Sequence, residues 1–160
     1  NQLVSDLLNS TRVAELTFAE ASINKILDAT IELARDRIEL NQIKVIKNYD
    51  AKLCPISVDI EKIKIAFLNI IVNAVEAMDQ NGILKIYSEN QDGHCLVRIS
   101  DNGRGMTKSE LDRLFEPYFT TKQKGNGLGL ANSQNIILGH KGNITAESEY
   151  GKGTTFTITF

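Results

Sequence analysis

The sequence predicts an α+β fold, a two-layer α/β sandwich in which helices cover one face of a mixed, mostly antiparallel sheet. Three observations predict it. All eleven glycines lie at or after Gly82, and glycine punctuates turns and weakens helices, so the front half reads as helix-rich and the back half as turn-rich. Apolar residues in the front half recur at helical spacing, whereas the back half alternates apolar and polar residues between glycine-bearing turns. At 160 residues, 42% hydrophobic and 24% charged, the chain is long enough for one domain with its own core.

The elements follow in order. Leu3, Val4, Leu7 and Leu8 give residues 2–13 a short amphipathic helix, and 16–18 read as a brief extended stretch. Ser22 caps a helix whose apolar positions Ile23, Ile26, Leu27, Ile31, Ala34 and Ile38 fall on one face. Residues 43–48 read as a strand and 55–58 as a short edge strand. Asp59 caps a long helix reaching residue 79, and the Asn81-Gly82 turn leads into paired strands over 83–89 and 95–100, joined at Asp92-Gly93. Thr107 and Glu110 form a capping box opening a short helix. A loop over 115–126 precedes a helix over 128–138 with Gly139 at its C′ position, and strands over 143–149 and 154–160 flank a Gly151-Lys152-Gly153 turn.

Composition excludes several functions. A net charge of −2 leaves no basic footprint for nucleic acid and no polybasic patch for anionic lipid. The apolar runs are too short to span a membrane. Cys54 and Cys95 match no zinc or redox spacing and read as buried, reduced thiols. The chain opens at Asn1 without a signal peptide and reads as a fragment of a longer protein.

Four segments carry chemistry. In the long helix, Asn69 and Asn73 share one stripe with Glu76, within a run apolar nearly all the way round. Buried amides need partners. They either floor a polar pocket for a metal–phosphate or water cluster, or satisfy neighbouring backbone. Asp101-Asn102-Gly103-Arg104-Gly105-Met106 follows a strand directly. A flat ligand could approach that backbone, with Asp101 accepting from a base's exocyclic amine; a plain turn is the alternative. Gly125-Asn126-Gly127-Leu128-Gly129-Leu130 leads into a helix and offers amides at a positive helix N-terminus, suited to phosphates. Its spacing is neither a Rossmann fingerprint nor a Walker loop. Upstream of it, Phe115, Tyr118 and Phe119 mark a hinged cover or an anchored loop, with Lys122 able to reach phosphate oxygens.

The order of these segments, an Asn helix, Asp-x-Gly-x-Gly, Phe-x-Pro-x-Phe, Gly-x-Gly-x-Gly and Gly-x-Gly-Thr, resembles the ATP-binding catalytic domain of bacterial sensor histidine kinases. That domain has the Bergerat fold, with an ATP lid loop, of the superfamily shared with gyrase, heat-shock chaperone ATPases and mismatch-repair ATPases. The resemblance covers residues 15–160; residues 1–14 resemble the end of the dimerisation and phosphotransfer helix with its linker.

The resemblance implies roles. Asn73 would coordinate Mg²⁺ on the ATP phosphates, with Asn69 supporting it. Asp101 would hydrogen-bond the adenine amino group, and Gly103 and Gly105 would let the backbone approach the nucleotide, beside Met106. Gly125, Gly127 and Gly129, with Leu128 and Leu130, would close the lid over the phosphates, joined by Phe119, Thr121 and Lys122. Thr154 or Thr155 would complete the adenine pocket. Residues 120–126 are expected to be the most mobile stretch.

Two departures alter this picture. Glu76 stands where many members carry Lys, which shifts phosphate contact towards Lys122, and Asn126 replaces the commoner Thr. No phosphoacceptor motif is present either. His94 reads as solvated and His140 as a cap or packing residue. Hydrolytic relatives place a Glu general base at position 69, where this chain has an amide that cannot accept a proton. The resemblance therefore implies a protein-histidine kinase domain of a two-component system. It would use Mg·ATP and act on a histidine of a separate dimerisation domain in a homodimer, then through a response regulator receiver domain. Its place would be the cytoplasm, whether or not the full-length protein is anchored in the inner membrane. An ATP-hydrolysing superfamily member and a non-catalytic nucleotide-sensing scaffold are the alternatives.

Overall fold

The structure is a computed structural model describing residues 15–120 and 127–160. The helix expected over 2–13 lies outside the described residues, as do Thr121, Lys122 and Gly125 and all but Thr120 of the stretch expected to be mobile.

Strand β1 (Ala19–Ala21) precedes α1 (Ile23–Leu33), where the Ser22 side chain accepts from the Lys25 amide. The sequence predicts one helix through Ile38, but it breaks at Ala34 and restarts as α2 (Arg35–Leu40). Buried Thr30 donates its hydroxyl back to the Ile26 carbonyl at 2.7 Å, a bond that bends helices. Ile38 of α2 is buried in the core. Strands β2 (Lys44–Tyr49) and β3 (Ile56–Val58) follow, then α3 (Ile60–Ala77), capped by Asp59. Strands β4 (Ile83–Gln91) and β5 (His94–Asp101) form the expected hairpin, and α4 (Lys108–Arg113) carries the complete Thr107–Glu110 capping box. Helix α5 (Gly129–Gly139) is followed by β6 (Asn143–Glu149) and β7 (Gly153–Thr159).

Gly139 is not the C′ residue expected from the sequence. It is the last helical residue, His140 is the cap, and the positive φ of 60° falls on Lys141. The His140 ring binds the Ile136 carbonyl at 2.7 Å, satisfying the helix end one residue further on.

Five strands run in the order β2-β4-β5-β7-β6, parallel between β2 and β4 and antiparallel elsewhere. Strands β1 and β3 pair separately. Along β4, β5 and β7, Leu84, Ile86, Val97, Ile99, Phe156 and Ile158 are buried in one core with residues of α1, α3 and α5. Helices α3 and α5 are joined by the buried Ser133 hydroxyl, which donates to the Ala66 carbonyl at 2.9 Å. Among the described residues, no helix is long and apolar enough to cross a membrane.

A further expectation fails. Cys54 is exposed, in the irregular stretch between β2 and β3. Cys95 is buried as expected, and burial pushes its thiol up to about 11.

Candidate functional site

An open cavity of about 630 Å³ lies over the outer stripe of α3. The stripe is legible in the sequence. Buried Ile63, Ala66, Phe67, Ile70, Ile71, Ala74 and Val75 fix which face of α3 meets the core. Leu68, Asn69, Val72, Asn73 and Glu76 are left on the cavity side.

Asp101 ends β5, in register with Leu84 on one side and Thr154 on the other. Its Oδ1 accepts the Gly103 amide at 2.8 Å. Burial pushes the Asp101 carboxyl above the ordinary carboxylate range, against the amide hydrogens of Gly103 and Thr154, which pull it down. An ionised carboxylate offers about four acceptor sites, so capacity remains for an amino group in the cavity.

Gly103 and Gly105 also answer a demand within the chain itself. A Cβ on Gly103 would stand 2.3 Å from the Ala77 carbonyl oxygen, and one on Gly105 2.1 Å from that of Glu149. Both glycines let the loop after β5 pass against the end of α3 and the β6–β7 turn. The Arg104 amide then donates to Ala77 at 3.0 Å, and Met106 donates to the Ser148 hydroxyl at 2.7 Å.

At the opposite end of the stripe, the Asn69 side-chain amide donates to the Gly129 carbonyl at 3.0 Å. This contact fastens the start of α5 to α3. Helix α5 opens at Leu128 with no side-chain cap and no acidic residue in its first turn. Its positive end therefore faces the cavity through Gly129 and Leu130. The Tyr118 amide donates to Gly127 at 3.0 Å, closing the base of the segment between them. Phe119 lines the wall with the Arg113 guanidinium 4.4 Å over its ring.

Of the sequence-predicted residues, Asn69, Asn73, Asp101, Gly105, Met106, Phe119, Gly127, Gly129, Leu130 and Thr154 line the cavity together. Thr155 does not. It alternates to the other sheet face, where its hydroxyl meets Ser100 at 2.8 Å, while Thr154 is buried with its hydroxyl on Ser148. Leu128 is buried beneath the helix start, outside the lining. Thr121, Lys122 and Gly125 lie outside the described residues.

The structure adds residues the sequence did not single out. Leu68 and Val72 were findable as apolar neighbours on the Asn stripe. Ser148 joins the loop after β5 to β7 through register alone. Arg37, from α2, lines the cavity and pairs with Glu76 at 3.4 Å across 39 residues of chain. No local pattern announces it.

The residues present fit a nucleotide with its metal: a carboxylate acceptor at one end, a helix start without acidic residues in its first turn at the other, and two asparagine amides between. Among the described residues, no cluster of three or more His, Cys, Asp or Glu side chains forms a metal site of protein ligands alone.

Comparison with known proteins agrees with this geometry. The sequence profile of the family described as histidine kinase-, DNA gyrase B-, and HSP90-like ATPase matches residues 58–160. The chain is 37% identical to the sensor histidine kinase ZraS of Klebsiella oxytoca, across 99% of this chain and 34% of that protein. It thus spans about a third of the length of that curated relative. Full-length ShkA, solved in complex with AMPPNP, superposes with a TM-score of 0.86 at 25% identity, over 99% of this chain and 35% of that one. The histidine kinase ThkA, solved in complex with the response regulator protein TrrA, gives 0.84 at 26%, over 99% and 46%.

Proposed function

The chain belongs to the histidine kinase-, DNA gyrase B-, and HSP90-like ATPase family, and from that premise we propose that it is the ATP-binding catalytic domain of a sensor histidine kinase. Residues 15–160 would form that domain, and residues 1–14 would belong to the end of the dimerisation and phosphotransfer domain with its linker. The observation that carries the reading is a single cavity with Asp101 at one end, the start of α5 at the other and Asn69 and Asn73 between.

In this reading Asp101 selects adenine. Its carboxylate accepts from an exocyclic amine, whereas guanine would present a carbonyl and meet repulsion. Asn73 holds Mg²⁺, which would neutralise phosphate charge; Asn69 keeps the start of α5 against the stripe so that its amides meet the phosphates. Lys122, Thr121 and Gly125 belong to the lid by resemblance. The chain's contribution is positioning and electrostatics, which phosphoryl transfer mainly requires. Asn69 speaks against a hydrolase: its amide is bonded to Gly129 and cannot take a proton from water. The phosphate would pass to a histidine on the dimerisation domain of the whole protein, working as a homodimer, and from there to a response regulator. The domain would work in the cytoplasm.

Calorimetric titration with ATP and with GTP, each with and without Mg²⁺, tests the reading. Mg²⁺-dependent binding of ATP in preference to GTP supports it. Absence of binding by either nucleotide overturns it in favour of a scaffold.

A further inference from the structure

The cavity carries an unexpected charge arrangement. Among the described residues, its lining includes three carboxylates, Glu76, Asp101 and Glu110, and two guanidinium groups, Arg37 and Arg104. Glu110 is committed to the amide of Thr107 in the capping box at 3.2 Å. Glu76 stands three residues after Asn73 on the same stripe of α3, one turn beyond the residue assigned to the metal. A polyphosphate entering there would face a carboxylate, and like charges repel.

Arg37 changes that. Its guanidinium reaches the cavity wall from α2 and pairs with Glu76 at 3.4 Å, with side-chain exposures of 60% and 38%. A pair so exposed is weak, because solvent screens it and both side chains keep their freedom. The guanidinium can therefore leave the carboxylate for a better partner. A phosphate group is such a partner, since the planar fork matches two of its oxygens. Arg104 is differently placed: its backbone is fixed between Ala77 and Gly151, in the loop beside Asp101.

We infer that Arg37 is a polyphosphate-binding residue, whose guanidinium exchanges the Glu76 carboxylate for nucleotide phosphate oxygens when the cavity fills. The inference rests on the nucleotide reading of this site. It supplies from α2 the cation that position 76 lacks on α3.

The test compares Mg·ATP with adenosine, which lacks phosphates, on the 160-residue chain and on Arg37→Ala, Arg37→Lys, Glu76→Gln and the Arg37→Ala/Glu76→Gln double variant. Calorimetry follows Mg·ATP, and amide chemical shifts follow adenosine. Arg37→Ala is expected to weaken Mg·ATP about tenfold, the scale of one charge-assisted contact, and to leave adenosine unchanged. Arg37→Lys should recover part of the loss, and the loss should persist in the Glu76→Gln background. A loss that vanishes with Glu76→Gln would show that Arg37 only neutralises its neighbour, and would overturn the inference. Equal losses for ATP and adenosine, or no loss, would overturn it as well. Failure of the unsubstituted chain to bind either ligand would bring down the nucleotide reading itself, a result distinguishable from all of these.

Discussion

His140 accepts the amide hydrogen of Asp59 through Nε2 at 3.0 Å, while its Nδ1 stands 2.7 Å from the Ile136 carbonyl oxygen. A carbonyl only accepts, so Nδ1 carries the proton and Nε2 the lone pair. The neutral ring thereby joins the C-terminal end of α5 to the N-terminal end of α3, with Phe18 and Phe160 edge-on to it. The far ends of the same two helices flank the cavity.

Replacing His140 with Ala removes the acceptor of a half-buried amide and two ring contacts. We expect a loss of about 1–3 kcal/mol, read from urea unfolding. Nucleotide selectivity should survive in the folded fraction.

Asp59 makes stability acid-sensitive. Burial raises its carboxyl pKa, but the amide hydrogens of Thr17 and Lys62, with His140 and the Lys62 charge beside it, outweigh that and hold it below the ordinary value. A folded pKa below the unfolded one means the contribution is complete above the unfolded value. It is lost as pH falls through the folded one, that is below about pH 4. Urea midpoints should therefore drop there, and the drop should shrink in Asp59→Asn.

Asp101 has the opposite sign. Burial raises its folded pKa, so its ionisation costs stability once pH rises past the unfolded value. Asp101→Asn should stabilise the chain at neutral pH, with the gain fading below about pH 4. It should also weaken ATP binding and erode the preference for adenine. Thermal melts at several pH values, paired with ATP and GTP titrations, check both halves.

Gly105 has φ +69°, and an added Cβ would lie 2.1 Å from the Glu149 carbonyl oxygen. Neither chain can yield without moving the β6–β7 turn. Gly105→Ala should cost at least about 2 kcal/mol, measured by denaturant melts.

A thiol reagent should modify Cys54 promptly and leave Cys95 unreacted until the chain unfolds, because burial pushes the latter thiol to about 11 and hides it. Timed labelling with mass analysis separates the two.

Much of the architecture is legible in the sequence because its signals are local. Ser22, Asp59 and the Thr107–Glu110 box mark helix starts through bonds spanning three residues, and Asn69 with Asn73 show their common stripe by spacing alone. What the sequence hides is of two kinds, a local break that no residue pattern announces and pairings between distant residues. The break at Ala34 interrupts no apolar period and involves neither glycine nor proline. The choice of Thr154 over Thr155 depends on pairing with β5, 53 residues earlier for Asp101 and Thr154. Arg37 reaches the site through a pairing with Glu76, 39 residues further along the chain. Gly103 and Gly105 were visible, and the structure adds that they permit close approach to the protein's own backbone.

The bond from Tyr118 to Gly127 has an evolutionary consequence. It pins both ends of the intervening segment to one spot, so that segment's length is decoupled from the rest of the domain. Closure entropy grows only by about 0.6 kcal/mol for each doubling of length. Insertions or deletions there can be absorbed without disturbing the Asn69 contact or the register of the sheet. The Tyr118–Gly127 bond is thus a seam at which chain length can change while the cavity floor stays as it is.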